Sequence, residues 1–334
     1  LAKQAILLLA HGTPETVEQI PEYLRNVVSG RPLPQSVVEE IQHRYSLIGK
    51  SPLTDITMEL AKLVEAELSS GGEKIPVYVG MRNWKPYIPD VVRQMVADGI
   101  EEAAVICLAP QNSRTSVGLY RRAVEAEAGT ALRIDFTEGW ADHPLLAEGF
   151  ADRLRPLLAR MSTEAGHPVP VLFTAHSVPC RTVQTAQAST GSAGGASEGE
   201  KRLWPGAAPD PYAEDAKRTA VLVAQRIEQM PKWCFAFQSQ GASGGPWIGP
   251  TVEETLNAIA GDGVKSLILQ PIGFLCDHVE ILFDVDILFT EYANKLGIKL
   301  KRPESLNTSP YLVKAVADLA GKGLGRLERQ SVTP

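Results

Sequence analysis

The chain has 334 residues, enough for two domains of roughly 150 each. Hydrophobic residues make up 44% and charged residues 22%, the balance of an ordinary globular protein. A net charge of −6 gives no electrostatic reason to expect nucleic acid, and no apolar run approaches the roughly 20 residues of a membrane span.

In chain order, AILLLA (5–10) is a short buried strand broken by Gly12, Thr13 and Pro14. Ser51-Pro52 opens a helix, because Leu53, Ile56, Leu60, Leu63, Val64 and Leu68 then fall at helical spacing behind a serine cap and a proline in the first turn. PVYVGM (76–81) is a strand, IPDVVRQMVADGI a helix ending near Gly99, and AAVICLA (103–109) a strand. The second half repeats the scheme. PVLFTAH is a strand, DAKRTAVLVAQRIEQM a helix, CFAFQS (234–239) a strand, TVEETLNAIAGDG a helix and KSLILQP (265–271) a strand. Strand–helix alternation of this kind predicts an α/β fold with parallel sheets and right-handed crossovers.

The repetition extends to motifs. AILLLAHGTP (5–14) and PVLFTAHSVP (170–179) are both apolar runs ending in Ala-His-x-x-Pro, about half a chain apart. AVICLAP and SLILQP end at Pro110 and Pro271 with nearly the same offset. Two half-chains on one plan imply two similar domains, 1–150 and 151–334, facing a shared cleft. The last helix, around 309–328, can pack on either domain. The Gly/Ala/Ser-rich stretch 186–200 reads as a flexible insertion within the second half.

Several chemistries are excluded. No G-x-x-x-x-G-K-S/T, no G-x-G-x-x-G after a strand and no G-x-S-x-G elbow occurs. Cys107, Cys180, Cys234 and Cys276 form no C-x-x-C, and nothing after Cys276 can complete a cysteine-ligated iron–sulfur cluster. Cys107, Cys234 and Cys276 are expected as buried free thiols. The apolar stretch at 5–10 is too short for a secretory signal, so a cytoplasmic location is expected. The composition leaves room for peripheral membrane contact, and a monomer is the expectation.

His176 follows a buried strand, where ligands bind in a parallel sheet; the position alone fits a strand-capping histidine equally well. The stretch PIGFLCDHVEILFDVD (271–286) follows the next strand of that half. With Asp277 as a helix cap, Asp277, Glu280 and Asp284 share one helical face. Their neighbours are so apolar that this acidic row costs several kcal/mol unless it is hydrated, paired or bound to cations. One histidine with a row of carboxylates suits a divalent metal held transiently, and the same groups accept protons. His278 has apolar neighbours in helical phase and reads as structural. His43, His143 and His167 read as surface residues.

The chain resembles the ferrochelatases, which insert ferrous iron into a porphyrin. The resemblance rests on HGTP (11–14), RYSLIGKSPL (44–53), GMRNWKP (80–86), LAPQNS (108–113), SVGLYRRA (116–123), FTAHSVP (173–179), DPY (210–212), FQSQ (237–240), GPWIGP (245–250) and PIGFLCDHVEILFD (271–284). It implies two Rossmann-like domains with a porphyrin cleft between them, the chelatase fold. It implies that His176 and Glu280 are the catalytic, metal-binding and proton-handling pair, with Asp284 in an acidic ridge for metal delivery or proton exit. Arg44, Tyr45, Ser51 and Tyr120 match positions that line the porphyrin or hold its propionates. Porphyrin and Fe²⁺ are then the substrates, with no prosthetic group and no iron–sulfur cluster.

Departures from the family pattern accompany the matches. Some members carry tyrosine where His11 stands, and a histidine there can either ligate the inserted iron or only line the pocket. Val28-Ser29 replaces an arginine that some members use for a propionate, and Leu288 stands where some relatives have an acid. Other readings are a chelatase loading cobalt or nickel into another tetrapyrrole, a non-catalytic haem or metal carrier, and a two-domain solute receptor. Protoporphyrin IX and coproporphyrin III both remain open as substrate.

Overall fold

The computed structural model describes residues 2–69, 74–183, 210–240 and 245–332. The insertion at 186–200 lies outside the described residues. Two four-stranded sheets carry the fold. In the first, β1 (Gln4–Ala10), β2 (Val77–Met81), β3 (Glu102–Cys107) and β4 (Arg133–Thr137) lie in the order β2-β1-β3-β4. In the second, β5 (Val171–His176), β6 (Trp233–Gln238), β7 (Ser266–Pro271) and β8 (Lys299–Lys301) lie in the order β6-β5-β7-β8. Every pairing is parallel. The central strands β1, β3, β5 and β7 are buried on both faces, which is why their sequences are near-continuous apolar runs.

The helices are α1 (Ile20–Val27), α2 (Gln35–Ile48), α3 (Leu53–Ser69), α4 (Ile88–Ala97), α5 (Val117–Ala128), α6 (Pro144–Ala165), the short α7 (Cys180–Val183), α8 (Tyr212–Ala224), α9 (Val252–Gly261), α10 (Thr290–Lys295) and α11 (Pro310–Val332). The two sheets share a central core. Leu8 and Ile106 of the first sheet and Phe173 and Ile268 of the second join one apolar cluster with α3, α6, α8 and α11. Separate clusters cover the outer face of each sheet.

Helix α11 follows the second sheet in sequence but packs against β3, β4, α3 and α6. Gly323 permits the approach: a Cβ there would stand 2.7 Å from Ala104 Cβ on β3. Arg326 then grips Asp135 on β4. Helix α6 packs on β7 and α8, and Gln270 donates to its Phe150 carbonyl. The chain therefore crosses between the halves twice.

His143, expected at the surface, is buried at the N-terminus of α6. Its Nδ1 accepts from the Leu145 amide, and its Nε2 lies 3.0 Å from Asp318 on α11. A capping role at a helix crossing hides it. Among the described residues, no helix is long and apolar enough to cross a membrane.

Candidate active site

A cleft of ≈ 380 Å³ lies between the sheets. The order of each sheet explains its place. The chain leaves β1 towards β2 and returns to the other side as β3, and the second half does the same around β5 and β7. Each half thus has a switch point at the carboxyl ends of its two central strands, where a crevice forms. Ala10, His11, Leu108 and Ala109 line the cleft from the first switch point; His176, Ser177, Gly273 and Phe274 line it from the second. The loop after β3 joins the two sides. Gln111 donates to Thr219 and to the Ile272 carbonyl, and the Asn112 and Arg114 amides donate to Asp215 and Asp210.

His176 ends β5 with its ring at the cleft between Trp247 and Phe274, at centroid distances of 6.3 and 6.2 Å. Its Nδ1 donates to the Ser177 carbonyl, which turns Nε2 towards the carboxylate of Glu280 at 3.5 Å. Glu280 has a second imidazole on its other oxygen: His278 Nε2 lies 3.5 Å from Oε2. Both pair members keep part of their surface, 28% for His176 and 32% for Glu280, and both line the cleft. Burial pulls the His176 pKa down, but the Glu280 charge and hydrogen bond outweigh it and the pKa is raised. Burial pushes Glu280 up, but the two imidazoles hold it well below the usual carboxylate range. Each member of the pair therefore favours the charged form of the other.

The helix carrying Glu280 is not an α-helix. Residues Glu280–Phe289 form a π-helix that continues into α10. Such wide i→i+5 turns are rare and recur at functional sites. Glu280 and Asp284 sit on successive turns of it, but Asp277 is outside and caps nothing. Asp277 instead meets Ser305, Asn307 and Arg302, so the expected row of three carboxylates is a row of two. Asp284 is buried. It accepts from Ser239 Oγ and pairs with Arg44 at 3.3 Å. Its pKa is raised, first by burial and also by Glu280, against the opposing pull of Ser239 and Arg44.

The residues expected to contact the porphyrin divide into two groups. His11 and Tyr120 line the cleft. Arg44, Tyr45 and Ser51 do not line it. Arg44 pairs with Glu40 and Asp284 and stacks over Phe283 at 5.0 Å. Tyr45 is enclosed by Ile20, Tyr23, Leu24 and Trp84. Both the Tyr45 and the Ser51 hydroxyls are buried without a hydrogen-bond partner among the described residues.

His11 is held by Tyr23, whose hydroxyl is 2.9 Å from Nε2, and by the Asn83 amide. Burial lowers its pKa to about 4, so it is neutral at physiological pH. His278 reads as structural in the sequence, yet it lines the cleft and touches Glu280. Arg82, Thr13 and Asn307 also line the cleft, although the sequence reading assigns none of them to a site. For Arg82 a signal exists, since it directly follows β2 at the carboxyl edge of the first sheet. Cys107 is buried, whereas Cys234 and Cys276 are only partly so; all three are free thiols. Cys276 is on the cleft wall, and burial pushes its thiol up to about 12.

Comparison with known proteins shows the family of the chain. The sequence profile of the family described as Ferrochelatase matches residues 3–324. A ferrochelatase of Acidobacterium capsulatum is 59% identical over 98% of this chain and 96% of its own. A ferrochelatase of Herpetosiphon aurantiacus is 36% identical over 93% of this chain and 96% of its own. A coproporphyrin III ferrochelatase of Mycolicibacterium vanbaalenii is 33% identical over 96% of this chain and 89% of its own. Among solved structures, the Bacillus subtilis protein SirB with Fe³⁺ shares the fold at a TM-score of 0.54 and 14% identity, covering 97% of this chain and 98% of its own. The chain belongs to the ferrochelatase family.

Proposed function

We propose that this chain inserts Fe²⁺ into a porphyrin, with His176 and Glu280 as the pair that meets the metal and the pyrrole protons. One observation supports this above others. A partly buried imidazole and carboxylate face each other at 3.5 Å on the wall of a cleft whose other side carries His11 and Tyr120. Metal insertion releases two protons from the macrocycle, so the site must both receive a cation and take up protons. His176 in its neutral form offers Nε2 to either, because Nδ1 is committed to the Ser177 carbonyl. Glu280, kept ionised by two imidazoles, supplies the compensating charge.

Asp284, one turn further on, is the next acceptor. Its raised pKa and its bond to Ser239 suit a group that takes a proton from the pair and passes it outward. Binding energy from the rest of the macrocycle distorts the ring towards the incoming metal. We assign Tyr120 to the substrate wall. Arg44 we assign to Asp284, its partner, and Tyr45 and Ser51 to packing that does not line the cleft. We assign His11 to the product iron, on the opposite side. Fe²⁺ is a substrate in this reading, and no prosthetic group is invoked.

An anaerobic assay with Fe²⁺ and, in parallel, protoporphyrin IX and coproporphyrin III tests the reading. Multiple turnovers with one porphyrin or both are expected, with Co²⁺ and Ni²⁺ competing less well. Binding of one equivalent without product would make the chain a carrier instead.

A further inference from the structure

Arg302 sits on the loop between β8 and α11 and keeps 14% of its side-chain surface. Its Nε and one terminal nitrogen hold Asp286 in a fork at 2.6 and 2.8 Å. The same terminal nitrogen reaches Asp277 Oδ1 at 3.1 Å. One guanidinium thus ties the residue that leads into the π-helix to a residue in its middle. The same loop adds two more ties. Ser305 Oγ donates to Asp277 Oδ1 at 2.7 Å, and Asn307 Nδ2 donates to Oδ2 at 3.0 Å while its Oδ1 accepts the Asp277 amide at 2.9 Å.

A wide i→i+5 turn has no propensity of its own to compete with the α-helix, so tertiary contacts must hold it. Rewinding the segment to an α-helix would rotate Glu280 relative to His176. We propose that Arg302 is a positioning residue for metal insertion: by clamping Asp277 to Asp286 it holds the wide turn that sets Glu280 against His176. This rests on the reading of His176 and Glu280 as the reacting pair. Arg302 touches neither of them and acts through the helix. A bidentate fork is specific to arginine, because lysine keeps the charge but offers a single point donor.

The test compares Arg302→Lys and Asp286→Asn with wild type in the iron-insertion assay, with the melting midpoint measured on the same samples. Arg302→Lys is expected to lower kcat about tenfold, the equivalent of ~1.4 kcal/mol, while KM for the porphyrin stays close to wild type. Asp286→Asn is expected to act in the same direction but less, because the Asp277 contact survives. If Arg302→Lys does not fold, Asp286→Asn decides. A folded variant with wild-type kcat overturns the proposal, as does a loss of kcat matched by loss of folded protein or by a parallel rise in KM. Failure of wild type to insert iron would instead remove the underlying reading, and the two failures are read from different samples.

Discussion

His11 directly follows β1 and His176 ends β5, the equivalent strands of two sheets with the same order, yet their electrostatics are opposite. His176 has a carboxylate at 3.5 Å and a raised pKa. His11 is held by a phenol and an amide, and burial takes it down to about 4. At His176 the difference comes from the element after the neighbouring strand, and at His11 from burial. After β3 the chain enters α5 and presents Tyr120 to the cleft; after β7 it enters the π-helix and presents Glu280. Topology sets where each histidine sits; Glu280 then outweighs burial at His176, while burial outweighs the same carboxylate at His11.

The largest effect is expected from removing the copy whose pKa is raised. His176→Ala should lower kcat by about 10²–10⁴-fold, the usual worth of a positioned acid–base group. Porphyrin binding, read by fluorescence quenching, should persist. Near wild-type insertion by this variant would falsify the central assignment. Glu280→Gln should also abolish most turnover, and its residual activity should carry a second signature. The acid limb of kcat/KM reports the base of the free enzyme. In wild type that limb should lie above the ordinary histidine value of 6.5, because Glu280 favours the imidazolium, which cannot take a proton. With glutamine the burial remains and the carboxylate is gone, so the limb should move to lower pH. A limb that stays in place means that Glu280 does not govern His176.

A smaller effect separates the two turns by packing. Each is pressed by a glycine. A Cβ on Gly12 would stand 2.8 Å from Met81 Cβ, at a φ of +77°. A Cβ on Gly273 would stand 2.8 Å from Ala175 Cβ and 2.9 Å from its Cα. Alanine at either position should cost ~1–3 kcal/mol of stability by overpacking. Gly12→Ala should cost more, because the left-handed backbone adds ~1–2 kcal/mol. Denaturant melts of the two variants give the ranking, and equal midpoints would show that the turns relax alike.

Much of this plan is legible in the chain. The four central strands are apolar runs, and the doubled Ala-His-x-x-Pro marks the ends of two of them. The edge strands β4 and β8 are not, since one is half-exposed and the other has three residues. The π-helix is also invisible. EILFDVDILF is apolar almost throughout, so its periodicity does not distinguish wide turns from α turns, and the contacts that flank it come from Arg302, distant in sequence. For the same reason Asp277 and His278 exchange roles. Residues just outside a helix do not follow its phase, so Asp277 leaves the acidic row and His278 joins Glu280. Arg44 enters the sequence reading only through the family resemblance, as a position that lines the porphyrin or holds its propionates. Asp284 is its partner in the fold.

The smallest effect on insertion is expected at the neutral copy. Burial takes the His11 pKa down to about 4, which makes it a poor acceptor for pyrrole protons, and among the described residues no carboxylate lies within hydrogen-bonding reach of it, so we keep it apart from the proton-handling pair. His11→Phe should therefore insert iron at close to the wild-type rate. Its neutral ring nitrogen is nevertheless a good ligand for iron, and imidazole is suited to that metal. Tyr23 and Asn83 fix the ring in the cleft wall and would have to yield one nitrogen for ligation. The product should then report the change. The visible absorption of bound haem should shift in His11→Phe, and release should quicken as one axial bond is lost. An unchanged spectrum with unchanged release would reduce His11 to a polar piece of the wall. The two Ala-His turns would then differ in having a function at all, rather than in which side of the reaction each one serves.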